Sequence, residues 1–208
     1  MCFSLCVTDP TSISSSQVQD LANTFVRWFY EEMNKTSNAL ATPQQPTQSQ
    51  QPNQLSPAAE DLSPEHFWPD ASAKVVLASN PTAVDETLEV SQDGAQVAQA
   101  LTQLVRRFSL GFNPNLCSEG VRGVLDPTGL VVVTACGTLH NASTACGTFH
   151  QQFGLVRDPR VGNNWKIKYT QARLTSSQPT GHASLPSLAE FPALAAPGSK
   201  EVVLAGPD

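Results

Sequence analysis

Two cysteines and two histidines stand in a repeated pattern whose residue types are those that bind zinc. The pattern is Thr-Ala-Cys-Gly-Thr, one apolar residue and His, and it occurs at 134–140 and again at 144–150. Zinc binds thiolate and imidazole groups at about 2.0–2.3 Å, so its ligands must converge on one point. Whether Cys136, His140, Cys146 and His150 can converge depends on the element that carries them.

The flanking residues predict strands, which separate these side chains. The segment "LVVVTACGTLH" has a β-branched run and alternation after an Asp-Pro-Thr-Gly turn, and the second copy predicts its hairpin partner. Residues four apart on a strand lie about 13 Å apart at roughly 3.3 Å per residue, too far for one ion. A two- or four-residue loop would pair position 136 with 147 and place Cys136 and Cys146 on opposite faces; a three-residue loop would place them on the same face. We predict no metal site.

Three titratable side chains, His66, Asp70 and Tyr169, are candidates for general acid–base chemistry in an apolar cavity. Each also has a structural interpretation. Asp70 follows a proline and can end a turn, His66 stands beside two aromatic residues, and Tyr169 fits the alternation of a strand. The sequence shows no paired carboxylates, no Ser-His-Asp spacing and no glycine-rich phosphate loop. We expect no catalytic residue and no cofactor, and we keep the three side chains as possible cavity residues.

Charge is distributed unevenly along the 208 residues, whose net charge is −6. Residues 1–100 carry twelve acidic and three basic side chains, whereas residues 101–175 carry three acidic and eight basic ones. The basic side chains are spread out, as on a solvated face, so nucleic acid is not an expected partner. No segment has the roughly 18–20 apolar residues of a membrane span. We expect an intracellular protein of the nucleus or cytoplasm, with five reduced cysteines and no membrane partner.

The remaining pattern predicts helices, then strands. Ser16 and Gln19 resemble a capping box before a helix that runs to about Asn34. Ser63 and Pro64 predict a short second helix, and Asp93 predicts the cap of a longer third one. Strands are expected at "AKVVLAS", "ETLEVS", "EGVRGVL" and along the rest of the chain to about 176. Residues 1–15, a Gln/Pro-rich insertion at 36–60 and residues 177–208 are expected to be disordered.

Three strings, "HFWPDA", "GTFHQQFGLV" and "NNWKIKYTQARL", resemble the nuclear transport factor 2-like family over about residues 16–176. The resemblance implies an α+β cone in which three helices pack on a strongly curved antiparallel sheet. It also implies two classes of function, because the family contains protein-interaction modules and small enzymes such as isomerases and dehydratases.

The outer face of the sheet is the predicted partner surface. Both faces of the strand at 131–139 are apolar, so we expect a second layer to cover the outer one. The resemblance matches the family's dimer face to Thr134, Gln152 and Gln171, which are polar here. The proposed face has an apolar centre and hydrogen-bonding groups around it, and its residues are Val132, Thr134, Cys136, His150, Gln152, Trp165 and Gln171.

We predict a non-enzymatic interaction module that forms a homodimer or a heterodimer with a related domain. A cavity that binds a small molecule, or an isomerase- or dehydratase-like enzyme, is the alternative. The resemblance further implies a nuclear or apoptosis-regulatory role.

Overall fold

Two α-helices and seven strands make up the regular structure of the described residues. The structure is a computed structural model, and it describes residues 13–37, 61–80, 82–142, 144–160, 164–177 and 185–194. The helices are α1 (Ser15–Thr36) and α2 (Gly94–Phe108). The strands are β1 (Phe67–Ala78), β2 (Glu86–Val90), β3 (Leu110–Pro114), β4 (Val121–Leu125), β5 (Val131–Asn141), β6 (Thr144–Asp158) and β7 (Asn164–Ser176).

Each helix begins at a side-chain cap. Ser14, rather than Ser16, caps α1, and its hydroxyl accepts a hydrogen bond from the Gln17 amide while the Gln17 side chain accepts one from the Ser14 amide. Asp93 caps α2 as the sequence predicts, because its carboxylate accepts hydrogen bonds from the amides of Ala95 and Gln96. Such caps satisfy amides that have no partner inside the helix. Neither helix is long and apolar enough to cross a membrane, within the part of the chain that the structure describes.

The strands form one mixed sheet in the order β2-β1-β7-β6-β5-β3, with β4 also paired to β5. Strands β3 and β4 share one edge of β5, since β3 pairs with its second half and β4 with its first. Strands β1 and β7 run parallel, and the remaining pairs are antiparallel. The sheet is therefore not wholly antiparallel, which corrects the prediction.

The core lies between the helices and the inner face of the sheet. Aromatic residues fill its centre: Phe25, Phe29 and Tyr30 of α1 pack against rings of β3 and β6. Tyr30 stacks on Phe112 with ring centroids 5.5 Å apart, and Phe149 and Phe153 are completely buried. Burial of these rings supplies much of the free energy of folding.

The predicted third helix is not present among the described residues. Ser63 caps the segment as predicted, but only one 3₁₀ turn, Pro64–His66, follows before β1 begins at Phe67. The α+β class is confirmed, the count of three helices is wrong for the described residues, and strong curvature of the sheet stays a prediction. Most of the predicted insertion, residues 38–60, and most of both predicted tails lie outside the described residues.

Candidate functional site

A row of polar side chains crosses the outer face of the sheet, on the side turned away from the core. Thr134 of β5 is the direct neighbour of Gln152 of β6, and Gln152 is the neighbour of Gln171 of β7. The row continues to Lys74 of β1 and Arg122 of β4. We call Arg122, Thr134, Gln152, Gln171 and Lys74 the polar row. Because side chains alternate between the two faces of a strand, these residues share one surface.

Two polar atoms on this face are buried without a hydrogen-bond partner among the described residues. They are Oε1 of Gln152 and Nε of Arg173. Arg173 uses its Nη2 instead, which donates to the carbonyls of Asn80 and Ala83 at the edge of the sheet. A buried group without a partner costs roughly 1–3 kcal/mol. The Gln152 oxygen is therefore a position where an added donor would be favourable.

An apolar strip lies beside the polar row. Val132 of β5 pairs with Gly154 of β6 and with Val124 of β4, and Gly154 pairs with Tyr169 of β7. A Cβ at position 154 would come within 2.1 Å of the Tyr169 ring, so only glycine lets the ring lie across this strand. Burial raises the pKa of the Tyr169 phenol. Val124 is 44% exposed, so part of the strip faces solvent.

The chain itself covers the neighbouring part of the outer face. Residues 185–194, which we call the strap, contain one 3₁₀ turn, Leu188–Glu190, and lie over Cys136 and His150. The Cys136 thiol donates to the carbonyl of Pro186 over 3.2 Å, and the His150 ring stacks on Phe191 with centroids 5.0 Å apart. Burial raises the pKa of Cys136 to about 12 and lowers the pKa of His150 to about 4. Both groups are thus uncharged near neutral pH.

The structure brings together four of the seven predicted partner residues at an accessible surface. Val132, Thr134, Gln152 and Gln171 are half-buried on the outer face. Cys136 and His150 share that face but lie beneath the strap, which the sequence did not predict. A proline-rich segment without periodicity gave no signal for it.

Trp165 lies on the other side of the sheet, packed against the core. The cause is a register shift in β6–β7, where Gly154 pairs with Tyr169 but Leu155 pairs with Ile167. Lys168 is the extra residue of this β-bulge. Trp165 and Ile167 therefore face the core and Tyr169 faces outward, although simple alternation would place all three on one face.

The three possible cavity residues do not meet. Asp70 is exposed and forms an ion pair with Lys168, whose hydrogen bond lowers the pKa of the Asp70 carboxyl. His66 is half-buried with its ring 4.6 Å from the Trp28 ring, and burial lowers its pKa. Tyr169 lies on the outer face of the sheet. No pair of them is placed to share a proton transfer.

A polar network that the sequence did not indicate lies inside the core. The Tyr30 hydroxyl donates to Oε1 of Gln151 over 2.9 Å, and Nε2 of Gln151 donates to Oγ1 of Thr170 over 2.7 Å. All three residues are buried, and burial raises the pKa of Tyr30 well above its usual value. A phenol that stays protonated is a hydrogen-bond donor here and not a base.

The repeated Cys/His pattern is separated as expected for strands. Asn141 of β5 pairs with Thr144 of β6, and Cys136 pairs with His150 rather than with position 147. Cys146 sits at a register shift and packs against the core, on the face opposite Cys136. His140 contacts the Thr138 hydroxyl over 2.9 Å. The described residues contain no group of three or more His, Cys, Asp or Glu that could hold a metal ion.

Two helices on one face of a mixed sheet fit an α+β fold of the nuclear transport factor 2-like type. The likeness to yeast UBP3-associated protein Bre5 has a TM-score of 0.51 at 12% identity and covers 80% of this chain and 100% of that one. Nuclear transport factor 2 of Cryptosporidium parvum has a TM-score of 0.44 at 17% identity, covering 79% of this chain and 100% of that one.

The chain belongs to the DUF4518 C-terminal domain family, whose family model matches residues 19–184. It is 33% identical over 155 residues to the uncharacterized protein C3orf38 homolog of Mus musculus, covering 74% of this chain and 39% of the mouse protein. The Rattus norvegicus homolog is 31% identical over 170 residues, covering 81% of this chain and 43% of the rat protein. The chain thus spans about two fifths of the length of these relatives.

Proposed function

We propose that this domain is a non-enzymatic protein-interaction module that binds a second copy of itself through the outer sheet face. A related domain of the same fold is the alternative partner for the same surface. The contact consists of the polar row together with the apolar strip at Val132 and Val124. The fold is compatible with this role, since yeast Bre5 is a UBP3-associated protein.

The observation that carries the proposal is the unpaired Oε1 of Gln152 at the middle of the polar row. A primary amide both donates and accepts hydrogen bonds, so the row is self-complementary. This oxygen is covered in the free chain, so the Gln152 side chain has to turn outward to meet a partner. In a two-fold dimer, a Gln152 or Gln171 amide of one copy can then donate to the Gln152 oxygen of the other, and the reverse contact forms as well. Apolar surface beside a hydrogen-bonding rim is the usual composition of a protein interface.

The inner face supports an interaction role over catalysis. Large aromatic side chains fill the centre of the core, and its polar groups, Tyr30, Gln151 and Thr170, are hydrogen-bonded to one another. The acid–base candidate Asp70 is exposed and its charge is balanced by Lys168. An isomerase-like mechanism needs an acid or base that points into a dry cavity. None of the three candidates, His66, Asp70 and Tyr169, is placed in such a cavity.

A charge placed in the apolar strip tests the proposal. We expect Val132→Glu to convert a dimer to a folded monomer, because the carboxylate would lose its hydration at the apolar strip of the contact. Val84→Glu is the matched control, since Val84 is 63% exposed and lies outside the strip. Sedimentation velocity and circular dichroism of both variants give the result. An unchanged association state in Val132→Glu, with an unchanged spectrum, would contradict the proposed face.

The location of the module is inferred from the residue pattern, and its cellular role is inferred from the resemblance. We infer an intracellular location, in the nucleus or cytoplasm, and a role in a nuclear or apoptosis-regulatory process. Imaging of the tagged full-length protein tests the location, and exclusive delivery to the cell exterior would contradict it.

A further inference from the structure

The strap is held on the sheet by hydrogen bonds to its backbone. The Pro186 carbonyl accepts from Nδ2 of Asn115 over 2.9 Å and from the Cys136 thiol over 3.2 Å. The Leu188 amide donates to the carbonyl of Glu119 over 2.8 Å. Backbone hydrogen bonds of this kind are how folded domains hold short peptide segments, with side chains adding selectivity.

The groups that hold the strap are positioned by the sheet and by the loop between β3 and β4. Asn115 is buried, and its side-chain Oδ1 accepts a hydrogen bond from the backbone amide of Cys117 over 3.1 Å. The backbone amide of Asn115 donates to the Cys136 carbonyl. Cys136 and His150 are direct neighbours on β5 and β6. A surface that is formed before its occupant arrives binds with a smaller loss of entropy.

Three features of the strap define what the surface selects. The buried Pro186 supplies the carbonyl that accepts two hydrogen bonds. Phe191, five positions later, stacks on the His150 ring with an interplanar angle of 22°. Between them, Ser187 and Glu190 form a capping box that fixes the single 3₁₀ turn. Proline, a turn of three residues and an aromatic ring are therefore the recognised features.

The strap is attached by few contacts. Of residues 185–194, only Pro186 is buried, and four others are half-buried: Ser187, Leu188, Phe191 and Leu194. Segments with few buried groups open at a low cost in free energy compared with the core.

We propose that Asn115, Glu119, Cys136 and His150 form a peptide-binding site for short segments of the type Pro-x-Leu-x-x-Phe, and that residues 186–191 are its tethered ligand. A tethered ligand acts at an effective concentration in the millimolar range, so it masks the site against peptides in solution. A segment of the same type from another protein binds when the strap is weakened. This site adjoins the dimer surface and does not require the dimer.

The test uses the full chain and a fluorescent peptide with the sequence of residues 185–194. We expect Phe191→Ala in the chain to bind this peptide at least tenfold more tightly than the wild-type chain, measured by fluorescence anisotropy. The same peptide carrying Phe191→Ala is the control ligand, and it should bind neither chain. Adding His150→Ala to the Phe191→Ala chain should remove the gain.

A second readout shows whether the strap has left its site. In the Phe191→Ala chain, the His150 ring should titrate in NMR spectra nearer its ordinary pKa of 6.5 than in the wild type, because the stacked ring no longer shields it. Equal peptide affinity of both chains overturns the proposal, and so does an unchanged His150 titration. Peptide binding by a monomeric chain would support this site while contradicting the proposed dimer, so the two failures are distinguishable.

Discussion

Gln151 and Gln152 are neighbours in β6, and at the scale of the residue their amides have opposite surroundings. Gln151 points into the core, where Tyr30 and Thr170 satisfy its amide. Gln152 points outward and keeps an oxygen without a partner among the described residues. The sequence correctly assigned Gln152 to the outer face. It could not show the inner network, because the partners of Gln151 are 121 and 19 positions away along the chain.

Removing the Tyr30 hydroxyl tests the inner network. We expect Tyr30→Phe to lower the free energy of unfolding by about 1–3 kcal/mol, since it leaves the buried Gln151 oxygen unpaired. Urea unfolding of Tyr30→Phe, Gln151→Met and the double variant gives the coupling between the two sites. Additive effects of the two single changes would show that the hydrogen bond contributes nothing.

His150 makes stability depend on pH. Its folded pKa is about 4, below the ordinary 6.5, because burial disfavours the charged ring. The unfolded state therefore binds more protons between these values, so the contribution is present above about pH 6.5 and is lost as pH falls towards 4. The thiol of Cys136, the facing group on β5, does not titrate in this window because its pKa is about 12.

We expect His150→Gln to make the fall in stability between pH 7 and pH 4.5 smaller than in the wild type. Urea unfolding at four pH values measures the slope. His66 titrates in both proteins, and its pKa is lowered as well, so the difference between the two slopes isolates His150. Parallel curves would contradict the assigned burial.

At the scale of the element, the sequence predicted the caps, turns and hairpins that particular residue types mark. Asp93, the turn at 126–129 and the hairpin of β5 and β6 were all indicated by residue types, and Gly129 takes a positive φ of 87° in that turn. The 3₁₀ turn of the strap at Leu188–Glu190, strand β3 and the bulge at Lys168 were missed. Strand β3 has five residues ending in Asn-Pro, and its strand conformation depends on pairing with β5.

The packing of α1 on β4 depends on a single glycine. A Cβ at Gly123 would lie 2.7 Å from the Val18 carbonyl oxygen and 2.8 Å from the Ala22 Cβ, so helix and strand would have to separate. The Gln19 side chain also bonds the β4 backbone there, accepting from the Gly123 amide and donating to the Val121 carbonyl.

We expect Gly123→Ala to lower the free energy of unfolding by about 1–3 kcal/mol through this crowding. Thermal and urea unfolding measure the effect. Val84→Ala is the control, because the Val84 side chain is 63% exposed and lies outside the proposed contact, and it should change stability by about 0.5 kcal/mol or less. Equal stability of both variants would contradict the close packing of α1 on β4.

At the scale of the whole molecule, the resemblance predicted the family fold and the residues predicted its outer face. What could not be predicted is how much of that face the chain covers itself. The strap covers Cys136 and His150, and the bulge places Trp165 on the opposite face of the sheet. The part of the proposed partner surface that stays accessible is Val132, Thr134, Gln152 and Gln171, which is smaller and more polar than the sequence indicated.

Sedimentation equilibrium of the full chain, at concentrations from about one to one hundred micromolar, tests whether the outer face binds a second copy. We expect a dimer, at twice the chain mass of 22.2 kDa, that dissociates on dilution. A mass of 22.2 kDa at every concentration would contradict association of the outer face with a second copy.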